Sequence, residues 1–301
     1  MSQRDFAAHL GISERMISKW EAGGEKINPR PVNQSALDSS LATAPPAVQD
    51  RFAELLDLVR QAHADPSKVD GDTGGSGRAL TGHQVRHPID GKLMTLVEPG
   101  EFLYGDAAES VVLSAFYMDV FPTTNADYAR FVTATEHRAP QHWSQAGEPP
   151  SHLLDHPVVF ITWHDAFAYA SWAAKSLPSN QQWEKAARGE RGDIYPWGSQ
   201  LTAAKYNVRE SRIGSTTPVD NYHSGACPYG VYDMCGNVWE WLSAESAPGR
   251  HELKGSAFTS PFARATPSMF NDASAEMLDD DTGFRCATLA ETMRALLKMN
   301  S

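Results

Sequence analysis

The sequence predicts a mixed α+β domain preceded by a small all-α one. Three observations carry this. Residues 86–288 contain runs that alternate apolar and polar side chains, interleaved with helix patterns that open on Ser, Thr or Asn. Residues 1–63 carry only helical periodicity. Between the two, residues 64–85 hold Gly71-Asp-Thr-Gly-Gly-Ser-Gly77, the composition of a flexible linker and the clearest boundary in the chain.

In the first domain, Phe6, Ala7 and Leu10 lie at helical spacing, Gly11-Ile12 is a turn, and Ser13 is a suitable N-cap for a helix Glu14–Ala22. Met16, Ile17 and Trp20 form its apolar stripe, and Gly23-Gly24 ends it. Two short helices around a glycine turn make a helix-turn-helix pattern. Pro29 and Pro31 mark an extended connector, Asn33 caps a helix through Leu41, and Pro45-Pro46 breaks it. Ala47–His63 is amphipathic through Val48, Phe52, Leu55, Leu56 and Val59, suited to closing the small domain or to pairing with a second copy.

In the second domain, Met94–Gly105 reads as a β-hairpin around Pro99-Gly100, and Val111–Val120 as one further strand with Phe116 and Met118 on one face. A helix follows from Thr123, capped by Thr124 or Asn125, with Tyr128 and Phe131 on one side. His156–Trp163 reads as a strand and Asp165–Lys175 as a helix packing Ala166, Tyr169, Ala170 and Trp172. Ser179 caps the next helix with Gln182 at the capping-box position, and Trp183, Ala186 and Ala187 face inward. Trp239 and Trp241 alternate with Glu240 in a short strand. Gly283–Cys286 is a terminal strand, and residues 289–301 form a helical tail.

Composition excludes several classes. Over 301 residues the formal charge is −11, so contact with nucleic acid must come from a local patch. Three cysteines with no C-x-x-C argue against a disulfide scaffold and for a reducing cytosol. The N-terminus lacks an apolar signal region, and no apolar run approaches the ~18 residues of a membrane span. The sequence therefore places the protein in the cytoplasm, away from the membrane.

Two resemblances sharpen the picture. Phe6–Gly23 resembles the Cro and phage-repressor type of DNA-binding domain, with the chain starting inside what is the second helix of that family. The resemblance implies that Ser13, Glu14, Arg15, Ser18 and Lys19 face DNA. Residues 1–30 carry a net charge of only +1, a thin supply of phosphate contacts.

The second resemblance spans residues 86–287. Asp233-Met-Cys-Gly-Asn-Val-Trp-Glu-Trp241, Leu177-Pro-Ser-Asn-Gln-Gln-Trp-Glu-Lys-Ala-Ala-Arg-Gly189, Tyr195-Pro-Trp-Gly198 and Gly283-Phe-Arg285 stand in the order of the formylglycine-generating enzyme (sulfatase-modifying factor) family. This implies the C-type-lectin-like fold of the formylglycine-generating type. It also implies a structural Ca2+ at Asp233, Gly236, Val238 and Glu240, the glycine and valine through backbone carbonyls. A second calcium site would begin at Asn207-Val208, in a loop shortened between Arg209 and Thr217.

In that family two cysteines of a Gly-Gly-Ser-x-x-Cys-x-x-x-x-Cys motif bind Cu(I), for which soft thiolates are the right ligands. Here Lys254–Arg264 matches the motif, and Thr259 and Arg264 hold the two cysteine positions. No copper and no formylglycine-generating activity are expected. The surface Lys254–Asp281 is then a candidate for a ligand or protein partner through Ser256, Thr259, Arg264, Asn271 and Asp272. The preferred reading is a DNA-binding regulator with a degenerate domain as its binding module. Competing with it are a metal-dependent oxidoreductase with an altered site and a lectin-like interaction protein. The run Asp279–Asp281 is a candidate carboxylate pair for acid/base work, although a charge run reads first as a solvated loop, and the loose set His137, His142, His152 and His156 matches no metal spacing.

Overall fold

Leu93–Val97 and Phe116–Asp119 are rich in apolar residues, and each is bounded by turn residues. In the computed structural model, which describes residues 84–198 and 205–299, they form β2 (Leu93–Val97) and β5 (Phe116–Asp119). The two pair antiparallel, with Met94 opposite Asp119 and Val97 opposite Phe116. β1 (Gln84–Arg86) and β10 (Ala287–Leu289) flank them in the order β1-β2-β5-β10. β3 (Gly100–Tyr104) and β4 (Glu109–Leu113) form a separate two-stranded hairpin. A third sheet holds β6 (Trp239–Ala247), β7 (Arg250–Lys254), β8 (Phe270–Ser274) and β9 (Thr282–Gly283) in the order β8-β7-β6-β9, with only the β6–β9 pair parallel.

Three helices share one opening device. α1 (Asn125–Thr135), α2 (Trp163–Trp172) and α3 (Asn180–Arg188) each begin with a reciprocal capping box. The pairs are Thr124 with Asp127, Thr162 with Asp165, and Ser179 with Gln182. In each, the hydroxyl takes the third backbone N–H and the third side chain takes the cap N–H, so two donors that a helix start leaves unpaired are satisfied. α4 (Ala290–Met299) follows β10 directly and buries Ala290 and Met293.

Four strand readings and one helix boundary need correction. Gly283–Cys286 is not one strand: β9 ends at Gly283, and residues 284–286 are irregular until β10 opens at Ala287. Met94–Gly105 is not one hairpin: both edges of β2 are taken by β1 and β5, so Pro99-Gly100 turns the chain into the neighbouring sheet instead. Val111–Val120 is two elements, β4 and β5, in different sheets. His156–Trp163 is not a strand: residues 156–162 form a largely buried loop and Trp163 opens α2. Phe160 sits at φ +56°, which no strand accommodates. Its backbone N–H groups bond to scattered partners, Val158 to the Thr123 carbonyl and Phe160 to that of Asp279. The helix read over Asp165–Lys175 starts at Trp163, where Thr162 caps it, and ends at Trp172 before Ala174 turns left-handed. Lys175 lies beyond it, fully buried, with Nζ 2.7 Å from Asp90 and 2.8 Å from Asp119.

The core has two main parts. Tyr128, Tyr169, Trp241 and Phe284 join α1 and α2 to the third sheet. Val97, Phe116, Met118, Trp183, Ala186 and Leu242 join α3 to the first. Each fully buried large side chain contributes on the order of 3 kcal/mol. Among the described residues no helix is long and apolar enough to cross a membrane. The helix-turn-helix reading, with Ser13, Glu14, Arg15, Ser18 and Lys19, the later helices to His63 and most of the linker lie outside the described residues.

Candidate functional site

The turn that precedes β6 is built from left-handed residues. Asp233, Gly236 and Asn237 have φ of +53°, +87° and +69°. At Gly236 a Cβ would stand 2.5 Å from the Asn207 carbonyl oxygen, so both backbone angle and space demand glycine. Asn237 knots the turn. Its N–H donates to the Asn207 carbonyl at 2.7 Å, its Oδ1 accepts from Thr217 N–H at 2.9 Å, and its Nδ2 donates to Asp233 Oδ2 at 2.8 Å. The chain then enters β6, where Trp239 and Trp241 pack into the same core and Glu240 points the other way.

Of the four residues read as a calcium site, Asp233 fits a cation best. Its Oδ1 is buried and accepts no hydrogen bond. Burial pushes its carboxyl up to about 7, against the opposing effects of Asn237 and Arg285. An orphaned buried carboxylate oxygen is the kind of donor a hard cation would satisfy. Gly236 and Val238 lie in the same turn. Glu240 is differently placed: Arg285 donates to both its oxygens at 2.7 Å, and Trp183 Nε1 donates to Oε2 at 2.8 Å. Its charge is already balanced by a buried guanidinium. Asn207 and Val208 are buried, and their oxygens turn toward Ser211.

The second region is the loop Lys254–Asp281. Ser256 is buried, and its hydroxyl donates to the Arg264 carbonyl at 2.6 Å. The 3-10 turn Phe262–Arg264 is fixed at its start by Phe262 N–H on Glu210 at 2.8 Å. Thr259 donates its hydroxyl proton to Asp281 Oδ2. The Arg264 guanidinium lies 5.5 Å from the centre of the Trp239 ring and donates to the Phe270 carbonyl at 3.3 Å. Asn271 and Asp272 sit on β8 opposite Leu253 and Glu252. Asp272 is drawn to Arg250, 2.6 Å away, and to Ser246. The structure thus places Ser256, Thr259 and Arg264 on one loop, and Asn271 and Asp272 on the adjoining strand.

Two partners here escaped the sequence reading. Asp281, read as part of a solvated charge run, is the acceptor for Thr259, and burial raises its carboxyl. Trp239, read as core, is also the platform for Arg264. A cleft of about 160 Å³ opens between Arg138, Pro140, Phe160, Asp165 and Leu278. The Asp165 carboxylate at this cleft is held by Thr162, by His137 at 2.8 Å and by Arg138 at 3.4 Å. No periodicity links positions this far apart in sequence. Among the described residues, Asp279–Asp281 is the group of His, Cys, Asp or Glu donors whose atoms lie close together, within 4.8 Å. The histidines diverge: His137 meets Asp165, His156 meets Thr216, and His142 packs on Phe160.

The thiols are equally far from chemistry. Cys227, Cys235 and Cys286 are free and buried, each in a different core cluster. Burial pushes Cys227 up to about 11 and raises the other two as well. A thiol held protonated is a poor nucleophile, and thiols in three separate clusters do not form a ligand pair.

The chain is similar to known proteins over most of the described domain. The family model described as the sulfatase-modifying factor enzyme 1-like domain matches residues 80–290. The inactive C-alpha-formylglycine-generating enzyme 2 of Mus musculus is 28% identical over 276 residues, covering 69% of this chain and 89% of that protein. The formylglycine-generating enzyme of Bos taurus is 28% identical over 293 residues, covering 78% of this chain and 76% of its own. Among solved structures, PvdO from Pseudomonas aeruginosa superposes with a TM-score of 0.59 at 20% identity, over 70% of this chain and 100% of that one, a likeness of fold.

Proposed function

The chain belongs to the family of sulfatase-modifying factor enzyme 1-like domains, and from that premise we propose that its domain is a catalytically degenerate member that binds a ligand or partner instead of generating formylglycine. The observation that carries this is the pair Thr259 and Arg264. A hydroxyl engaged by Asp281 and a guanidinium laid over Trp239 occupy the two positions that the resemblance assigns to copper-binding cysteines. Neither is a soft donor, and neither can cycle between thiol and disulfide. The buried thiols elsewhere offer no replacement.

The binding surface is formed by Thr259 and Arg264 on the loop and by Asn271 and Asp272 on β8, whereas Ser256 is buried beneath it and shapes the loop instead of meeting a ligand. The loop backbone is fixed by Ser256 and Glu210, which leaves side chains to set specificity. A structural calcium at Asp233, with the carbonyls of Gly236 and Val238, would rigidify the turn below it. The N-terminal segment supplies the regulatory half of the reading, with Arg15 and Lys19 as its DNA-facing cations.

Two assays on the full-length chain test this. The copper-supplied protein is incubated with a sulfatase-type cysteine peptide, and the expected result is no aldehyde product; turnover overturns the degenerate reading. Binding to a pool of genomic fragments at two salt concentrations is compared with Arg15→Ala/Lys19→Ala. Selective binding that falls with salt and with the double substitution is expected. Equal binding by both proteins removes the DNA-binding part.

A further inference from the structure

We propose that the Asn207–Val208 corner is closed by the Ser211 hydroxyl and holds no divalent cation, so that any calcium this protein takes goes to the Asp233 turn alone. The resemblance points to a second cation at this corner, but the residues present are arranged for something else.

Ser211 Oγ lies 3.1 Å from Asn207 Oδ1 and within hydrogen-bond contact of the Val208 carbonyl, so one hydroxyl proton is shared between the two oxygens that would grip a cation. The same Oγ accepts the Val208 N–H at 3.0 Å. Asn207 is engaged on its other side as well. Its Nδ2 donates to the Ser215 carbonyl at 2.7 Å and to Asn237 Oδ1 at 3.3 Å, and its own carbonyl takes the Asn237 N–H at 2.7 Å. Asn207 is fully buried and Val208 nearly so, which leaves a cation no route that spares these bonds.

Charge points the same way. A calcium site needs carboxylate ligands to offset the ion's own charge. The hydrogen-bond partners of the Asn207 side chain, of the Val208 backbone and of the Ser211 hydroxyl are hydroxyl, amide and carbonyl groups, all neutral. The one carboxylate in this short loop, Glu210, is turned away onto Phe262 N–H. Arg212 closes the turn in the left-handed region, with φ of +57°, and donates its N–H to the Arg209 carbonyl. The short loop has brought a side-chain hydroxyl to where its oxygens converge. At Asp233, in contrast, a carboxylate oxygen is left without any donor.

The test compares thermal melting of the full-length protein in calcium and in EGTA, with bound calcium counted after removal of free ion, for the native chain and for Asn207→Ala, Ser211→Ala and Asp233→Asn. The expected result is a native count of at most one calcium per chain. Asn207→Ala and Ser211→Ala should each lower the melting temperature by the same several degrees in both buffers and leave the calcium count unchanged. Asp233→Asn should abolish any calcium-dependent shift. The proposal is overturned by two ions per native chain, or by an Asn207→Ala loss that appears only in calcium and lowers the count by one. Should Asn207→Ala fail to fold, Ser211→Ala decides: unchanged melting with a count of two overturns the proposal. A native count of zero with buffer-independent losses supports the closed corner and removes the Asp233 calcium.

Discussion

Arg285 grips Glu240 with two nitrogens, Nε and Nη2, each 2.7 Å from a different carboxylate oxygen, and neither side chain is exposed to solvent. The pair joins the chain after β9 to the strand beside it, and Arg285 reaches on to the Tyr232 carbonyl at 2.7 Å. A buried ion pair gains little over a well-packed apolar pair, but removing one partner strands a charge. Arg285→Met should therefore destabilise the protein by roughly 3–5 kcal/mol in urea unfolding. Glu240→Leu combined with Arg285→Met should recover part of that loss. Recovery stays incomplete because Tyr232 and Asp119 still lose a donor for their carbonyls. Additive losses would show that the two residues are not coupled.

The cysteines yield a second prediction. All three are buried, and burial pushes Cys227 up to about 11 against the opposing effects of backbone hydrogen bonds and Arg285. Reaction rates follow the thiolate fraction and access. At pH 8 the native protein should titrate as having no reactive thiol, and three should appear on unfolding in guanidinium. One fast thiol in the native state would reopen the search for a redox centre.

Ser179→Ala tests the capping box at α3. The hydroxyl accepts Gln182 N–H at 3.1 Å, and Gln182 accepts the Ser179 N–H at 3.0 Å. Loss of the hydroxyl should cost about 1 kcal/mol. A Ser179→Asp variant should retain most of that stability, because a carboxylate accepts the same N–H and suits the helix start.

Ser179 also marks what the sequence made legible. A cap, an amide three residues on and an apolar stripe are local signals, and Trp183, Ala186 and Ala187 fell inward as their spacing requires. The alternation of Trp239 and Trp241 around Glu240 was likewise readable. What failed was non-local. Pro99-Gly100 has the chemistry of a hairpin turn, and only the occupation of both β2 edges makes it a corner. His156–Trp163 has the apolar content of a strand, but its backbone partners are loops far away in sequence. The candidate site divides the same way. Thr259 and Arg264 were found by their place in a motif, whereas Asp281 and Trp239 became their partners only through folding.

Asp233 gives the final prediction. Its carboxyl is held at about 7 in the folded protein against an ordinary 3.8, and burial is the largest cause. Between those values the unfolded chain releases the proton while the folded chain keeps it. The folded state then binds more protons, so stability falls as pH rises. In EGTA the unfolding free energy should decline from pH 4 to pH 7 by on the order of 4 kcal/mol if Asp233 acted alone, and the melting temperature should fall with it. Above pH 7 this contribution is flat, since both states are ionised. Asp233→Asn removes the titrating group and should flatten the profile. Calcium should oppose the decline, because a cation on the free oxygen favours the ionised form, and its stabilising effect should grow toward neutral pH. A native profile that rises from pH 4 to pH 7 and is unaltered in Asp233→Asn would show that the carboxylate is already compensated within the fold.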